Sequence, residues 1–142
     1  MKPMPGKFFL DSNVVIYAYS RTEVDKRTTA RRIIDSPLSV VSTQVLQEVA
    51  NIFKRKYQLE YPAIREALCE CTAAVGELHT NTSQTVLKAC DIADRYRFSF
   101  YDSLIIAAAL ESNCTTLYSE DLQHGQVIEK SLTVCNPFLT AL

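Results

Sequence analysis

The chain has 142 residues, of which 47% are hydrophobic and 22% charged, enough to form one core without disulfides or a structural metal. Its net charge of -1 excludes a protein that holds nucleic acid by overall charge alone. Five scattered cysteines, with no Cys-x-x-C pair, indicate free thiols rather than a disulfide framework or a zinc cluster. No apolar run is long enough to span a membrane, and no signal peptide is evident, so we expect a soluble, cytoplasmic protein with no membrane partner.

The first half of the chain alternates short strands with helices. In order, it predicts a strand, an apolar segment that fits a strand or a helix, a helix, a strand and a helix, at residues 7–10, 14–19, 27–34, 38–41 and 43–57. Asp11 directly follows the first strand. Ser36-Pro37 ends the first helix, and Ser42 or Thr43 caps the next one.

The second half predicts three helices and then two strands, at residues 62–75, 83–96, 101–110, 114–118 and 132–135. The helix that starts at Tyr101 or Asp102 is apolar almost all round, so we expect it at the centre of the molecule. Strands that alternate with helices, without repeats or a linker, indicate one α/β domain over residues 1–142, built around a parallel sheet.

Four acidic residues lie where a parallel sheet collects its ligands, near the carboxyl ends of strands. This acidic quartet consists of Asp11, Glu48, Asp102 and Asp121. Each member also has an ordinary explanation, as a helix cap, the edge of an amphipathic helix or a turn residue, and Glu120 is an alternative to Asp121.

Four carboxylates that converge in one pocket repel one another unless a cation is present. Oxygen ligands suit Mg²⁺ or Mn²⁺ rather than zinc, and such an ion can activate water to attack a phosphodiester. The residues by themselves therefore indicate an oxygen-ligand metal pocket.

The chain resembles the PIN domain family, and in particular the toxin nucleases of VapBC-type toxin–antitoxin pairs. The matching segments follow the family's order and are 9–14 (FLDSNV), 42–48 (STQVLQE), 96–110 (with SFYDS), 117–126 (LYSEDLQHGQ) and 136–138 (NPF). Each segment is short, but the ordered set spans nearly the whole chain.

This resemblance implies a three-layer α/β/α sandwich with a parallel sheet of four to five strands. It also implies an endoribonuclease that uses Mg²⁺ or Mn²⁺, with the acidic quartet as its catalytic and metal-binding residues. Asn13 and Ser119 match supporting positions of the family. Many relatives carry another acidic residue soon after the position of Asp121 and could complete a second metal site with it. This chain departs from that pattern, because Leu122-Gln123-His124 follow Asp121.

The resemblance further implies an RNA substrate, a cognate antitoxin and a homodimer. Arg95 and Arg97 are our candidates for RNA contact, because they precede Asp102 closely in sequence. Lys54, Arg55 and Lys56 could also contact RNA, but the end of a helix, where the dipole favours cations, explains them better. Tyr101 could stack on a base, but we expect it to be a core aromatic. Apolar residues around 52–53 and 64–68 could line an antitoxin groove or a homodimer face, with ordinary core as the alternative.

Three other functions fit parts of the pattern. Asp11-Ser12-Asn13 resembles the start of a haloacid-dehalogenase-like phosphatase, although Asn13 stands where that family has aspartate. A receiver-like phosphoacceptor is a second possibility, but this chain lacks the acidic pair that such a domain carries before the aspartate of its first strand. A catalytically silent PIN-like module that binds RNA or protein is the alternative from another class, and the complete acidic quartet argues against it.

Overall fold

The structure is a computed structural model, and it describes residues 6–139. Within these residues, six strands form one sheet: β1 Phe8–Leu10, β2 Ser39–Ser42, β3 Glu77–His79, β4 Thr116–Tyr118, β5 Val127–Ile128 and β6 Leu132–Cys135. The helices of the same region are α1 Ser12–Tyr17, α2 Val24–Ile34, α3 Thr43–Arg55, α4 Tyr61–Ala74, α5 Ser83–Tyr96 and α6 Phe100–Glu111.

The strand order β3-β2-β1-β4-β6-β5 determines which helices cover each face of the sheet. The first five strands in this order, from β3 to β6, are parallel to their neighbours. Strand β5, at the edge, runs antiparallel to β6. The chain steps from β1 to β2 to β3 in one direction and then returns past β1 to β4. Because such crossovers are right-handed, α1–α4 cover one face and α5–α6 the other. The predicted α/β/α sandwich with a parallel sheet of four to five strands is confirmed: five strands are parallel, and β5 is an antiparallel addition.

The centre of the molecule is formed by β1, β2 and α6. All four residues of β2 are buried, and so is every residue of α6 from Ser103 to Ala109. The apolar segment that we expected at the centre is therefore a central helix. Residues 14–17 of the ambiguous segment are helical, since α1 begins at Ser12 with Asp11 as its N-cap, and Ala18 and Tyr19 form the turn that follows.

Several details differ from the sequence prediction, among them the start of α2, which lies at Val24 rather than at residue 27. The short strands β3 and β5 were not predicted, because a three-residue polar segment and a two-residue one carry no alternating pattern of their own. Helix α6 begins at Phe100 rather than at Tyr101 or Asp102, since the Ser99 Oγ accepts a hydrogen bond from the Asp102 N at 3.2 Å. Tyr101 is 66% exposed, so its assignment to the core was wrong.

None of the helices in the described part of the chain combines the length and the apolar character needed to cross a membrane. All five cysteines lie in this part and are free thiols, as predicted. Cys71 and Cys114 are buried, whereas Cys69 and Cys90 are exposed.

Candidate active site

The acidic residues gather where the direction of the strand connections changes, between β1 and β4. Ligands of open α/β sheets bind at such a point, outside the carboxyl ends of the strands. Asp11 directly follows β1 and Ser119 directly follows β4. The Asp11 N donates to the Tyr118 carbonyl at 3.0 Å, so pairing of the two strands continues up to the site.

Asp11 is the most deeply buried member of the acidic quartet, with 6% of its surface exposed. Its Oδ1 accepts from the Ser12 N and its Oδ2 from the Ser119 Oγ, both at 2.8 Å. Burial raises its pKa to about 6; these two hydrogen bonds oppose the rise, and the negative charges of Glu48 and Asp102 add to it. Asp11 is thus a buried carboxylate, shielded from water, that faces the carboxylates of Glu48 and Asp102.

Glu48 is half-buried on α3 and faces the same space. Burial raises its pKa, hydrogen bonds with Ser12 and Gln44 lower it, and the negative charge of Asp102 raises it. The Gln44 Nε2 donates to the Glu48 Oε2 at 3.4 Å and to the Tyr101 carbonyl at 3.1 Å, which links α3 to the first turn of α6. The structure therefore brings Asp11, Glu48 and Asp102 into one electrostatic cluster, with helices from both faces of the sheet contributing.

Asp121 lies at the exposed rim of this cluster and is joined to it through Asn13. The Asn13 Nδ2 lies 3.1 Å from the Asp121 Oδ2 and 3.4 Å from the Asp11 Oδ2. The Ser119 Oγ donates to Asp11 and accepts from the backbone N of Asp121 and Leu122. Asn13 and Ser119 thus hold the β4–β5 loop against the start of α1, which fixes the position of Asp121.

The donor chemistry of the cluster is oxygen only. Among residues 6–139, no three side chains of His, Cys, Asp or Glu lie close enough together to form a ready metal cage. Mg²⁺ keeps several of its waters and needs only one or two protein carboxylates, so this set fits a partly hydrated Mg²⁺ or Mn²⁺ rather than a fully enclosed ion.

The family model of the PIN domain matches residues 8–130, which include the whole quartet. The chain belongs to the PIN domain family.

Two solved structures share the fold of this PIN domain. VapC20 of Mycobacterium tuberculosis, described as a sarcin–ricin loop cleaving toxin, is 18% identical, with a TM-score of 0.62 over 81% of this chain and 90% of that one. A toxin–antitoxin complex from Klebsiella pneumoniae is also 18% identical, with a TM-score of 0.65 over 93% of this chain and 98% of that one. No curated protein sequence matches the chain significantly.

Glu120 of the PIN domain faces away from the quartet, which distinguishes it from Asp121. Its carboxylate pairs with the Lys26 Nζ at 2.7 Å and accepts from the Tyr17 hydroxyl at 2.7 Å. Burial alone would raise the pKa of Glu120, but these hydrogen bonds outweigh it and the pKa is lowered. Glu120 therefore anchors the loop to α1 and α2, and Asp121 is the acid beside Asn13.

The two arginines predicted to contact RNA share no hydrogen bond or ion pair with the quartet within residues 6–139. Arg95 instead pairs with Glu129, with its Nη1 at 2.6 Å from both carboxylate oxygens. Arg97 ends α5 in the left-handed conformation, with φ of 63°. Phe53 and Ile64, which we considered for a groove or dimer face, are 3% and 2% exposed and belong to the core.

A cleft of about 480 Å³ opens beside Asn13 and Asp121, between α1 and the end of α3. Arg55, Lys56 and Tyr57 line it from α3. From the sequence we explained Arg55 and Lys56 only as cations at the end of a helix. The sequence does not show that the end of α3 packs near the start of α1. A second cavity of about 390 Å³, between α1, α2 and α4, is lined by no member of the quartet.

Proposed function

We propose that this PIN domain is an endoribonuclease that depends on Mg²⁺ or Mn²⁺ and acts as the toxin of a toxin–antitoxin pair. Its catalytic and metal-binding residues are the acidic quartet. The observation that carries the proposal is the state of Asp11: burial and the facing charges of Glu48 and Asp102 raise its pKa to about 6, an arrangement that a bound cation would stabilise.

The residues divide the work according to their surroundings. A divalent ion at the cluster would supply Lewis acidity toward water and the phosphate. Asp11 and Asp102 would hold it, directly or through water. Glu48 accepts the proton of the attacking water, for which its raised pKa suits it, and Asp121 completes the negative charge at the rim. Asn13 and Ser119 orient Asp11 and Asp121.

The partners follow from the same proposal. The similar structures include a toxin that cleaves the sarcin–ricin loop and a toxin–antitoxin complex, which supports RNA as the class of substrate and an antitoxin as the partner. An antitoxin arginine inserted among the carboxylates would pair well with them and block the site. We propose a homodimer, since Leu87 on α5 and Phe100 on α6 have exposed apolar side chains available for a contact. We also propose that the protein works in the cytoplasm, where free thiols such as those of its five cysteines stay reduced.

The decisive experiment measures RNA cleavage with Mg²⁺ or Mn²⁺ by the wild type and by Asp102→Ala. We expect the variant to be at least about 100-fold slower, because it removes a residue proposed to hold the ion, and substitutions beside a metal ligand already cost roughly 10- to 100-fold. Alanine is a good helix former, and the cap at Ser99 binds only the backbone of residue 102, so α6 should persist. Asp94→Ala, which removes an exposed acid of α5, is the matched control. Equal cleavage by wild type and Asp102→Ala would overturn the assignment. No cleavage by either protein with Mn²⁺ present, together with normal RNA binding by Asp11→Asn, would favour the catalytically silent module.

Ser119→Ala tests whether the hydroxyl orients the site. It removes the hydrogen bond that lowers the pKa of Asp11, so this pKa should rise further. Since Asp11 must be ionised to work, the acid limb of the pH–rate profile should move to higher pH, with activity at neutral pH down roughly 10-fold. Ser119→Thr keeps the hydroxyl and should restore both. A pH profile that stays in place for Ser119→Ala would show a purely structural role.

A further inference from the structure

The cleft between α1 and the end of α3 has the features of a nucleotide-binding site. Its volume of about 480 Å³ lies within the range of roughly 300–1,000 Å³ for small-ligand pockets. Asn13 and Asp121, which belong to the candidate active site, form one part of its wall. A ligand in this cleft would therefore touch the acidic cluster directly.

The end of α3 supplies the two types of group that bind a single-stranded nucleotide. Arg55 and Lys56 are exposed, and within residues 6–139 neither forms an ion pair, whereas Lys26 and Arg95 are both paired with glutamates. Tyr57 is 50% exposed. Its ring meets that of the buried Phe53 edge to face, at 6.2 Å between centroids, so its orientation is supported before any ligand arrives.

The helix dipole alone does not account for this arrangement. Lys54 lies at the same helix end, but its Nζ donates to the Leu59 carbonyl at 3.3 Å and lies 4.8 Å above the ring of Tyr61. Arg55 and Lys56 line the cleft instead, with the Lys56 Nζ 5.6 Å from the centroid of the Tyr57 ring. They lie beside Asn13 and Asp121 of the candidate active site, where a protein of net charge -1 needs local cations to accept a phosphate backbone.

We propose that this cleft binds one nucleotide of single-stranded RNA next to the cleaved phosphate. Arg55 and Lys56 bind its phosphates, and the ring of Tyr57 stacks on its base. The hydroxyl group of Thr22, which also lines the cleft, is available to the ribose or to the base edge. The proposal rests on the proposed function, because it takes RNA as the substrate.

The test measures binding of a short, fluorescein-labelled single-stranded RNA by anisotropy, in EDTA to prevent cleavage, at several salt concentrations. Arg55→Gln should weaken binding and lower the salt slope of log K by about 0.7, as expected for one lost phosphate contact. Tyr57→Leu should weaken binding about five-fold or more with the slope unchanged, because stacking releases no counterions.

Matched controls come from the same helix end. Lys54→Gln removes one positive charge, as Arg55→Gln does, and Tyr61→Leu removes a ring that is 65% exposed but outside the cleft. We expect both controls to bind within about two-fold of the wild type, as for surface changes that touch no ligand. Equal binding by cleft variants and controls, or no RNA binding by the wild type at low salt, would overturn the proposal.

The two proposals can fail separately. If the cleft variants bind normally while only Asp102→Ala loses cleavage, the nucleotide site is wrong and the nuclease assignment stands. If the cleft variants lose binding but the wild type cleaves no RNA with either metal, the site stands and the nuclease assignment is wrong.

Discussion

Asp11→Asn should abolish RNA cleavage and, without divalent cations at neutral pH, make the fold more stable than the wild type. Substitutions beside a metal ligand cost roughly 10- to 100-fold in activity, so loss of a ligand should cost at least about 100-fold. The gain in stability arises because the substitution removes a buried charge that faces two other carboxylates. The pKa of about 6, against 3.8 in the unfolded chain, sets the upper limit of the gain at about 3 kcal/mol.

The pH dependence of this gain has a definite sign. Between pH 3.8 and about 6 the folded protein holds a proton on Asp11 that the unfolded chain has lost, so wild-type stability falls as pH rises through this window. Asp11→Asn has no such proton. The two proteins should therefore be similar near pH 4 and differ most above pH 6.

Urea denaturation in EDTA, at pH values on both sides of the window, measures this difference. Asp94→Asn, which makes the same substitution at an exposed acid of α5, is the matched control. A variant that is less stable than the wild type at pH 7 would mean that Asp11 contributes more through its hydrogen bonds than it costs through burial.

Mn²⁺ should raise the melting temperature of the wild type by roughly 5–10 °C, and this rise should disappear in Asp11→Asn. An ion at about 100 times its dissociation constant stabilises a fold by about 2.7 kcal/mol, which corresponds to such a shift in a domain of this size. Differential scanning calorimetry with Mn²⁺ and after EDTA gives the shift directly. Protonation of Asp11 competes with the ion, so the shift should shrink below pH 6.

Glu48→Gln should reduce the Mn²⁺ shift, since it removes one charge of the cluster. Glu129→Gln is the matched control, because Glu129 pairs with Arg95 and not with the quartet. The same Mn²⁺ shift in the wild type and in Asp11→Asn would place the ion elsewhere and refute the metal-binding role of the cluster.

Sequence patterns were sufficient where one local feature determines the structure. The helix α6 is apolar almost all round, so it can only be buried on all sides, and the sequence predicted this. A β-branched run bounded by turn residues predicted β2 with its ends one residue from those observed. Strand β3 has no such pattern, because its Glu-Leu-His sequence is half exposed and it is a strand only by pairing with β2. Edge strands are defined by their neighbours, which a single sequence does not reveal.

The candidate site shows the same division. Asp11 was predictable as a site residue from its position after a strand, and Asp102 from its position before an apolar helix. The orientation of the Glu120 side chain, away from the quartet, was not predictable, because it depends on pairing with Lys26, which is 94 residues away in the chain. Arg55 and Lys56 looked like an ordinary helix end because the cleft arises only when α3 packs against α1.

The insertion of β4 beside β1 has a consequence for synthesis of the protein. Asp11 and Ser119 touch although they are 108 residues apart, and Asp102 and Asp121 also come late in the chain. A ribosome that has released only the first hundred residues thus carries a chain that lacks both late carboxylates and the central partner strand of β1. On the proposed function, the nuclease stays inert until these late residues have left the ribosome, which gives an inhibitor made at the same time an opportunity to bind before any RNA is cut.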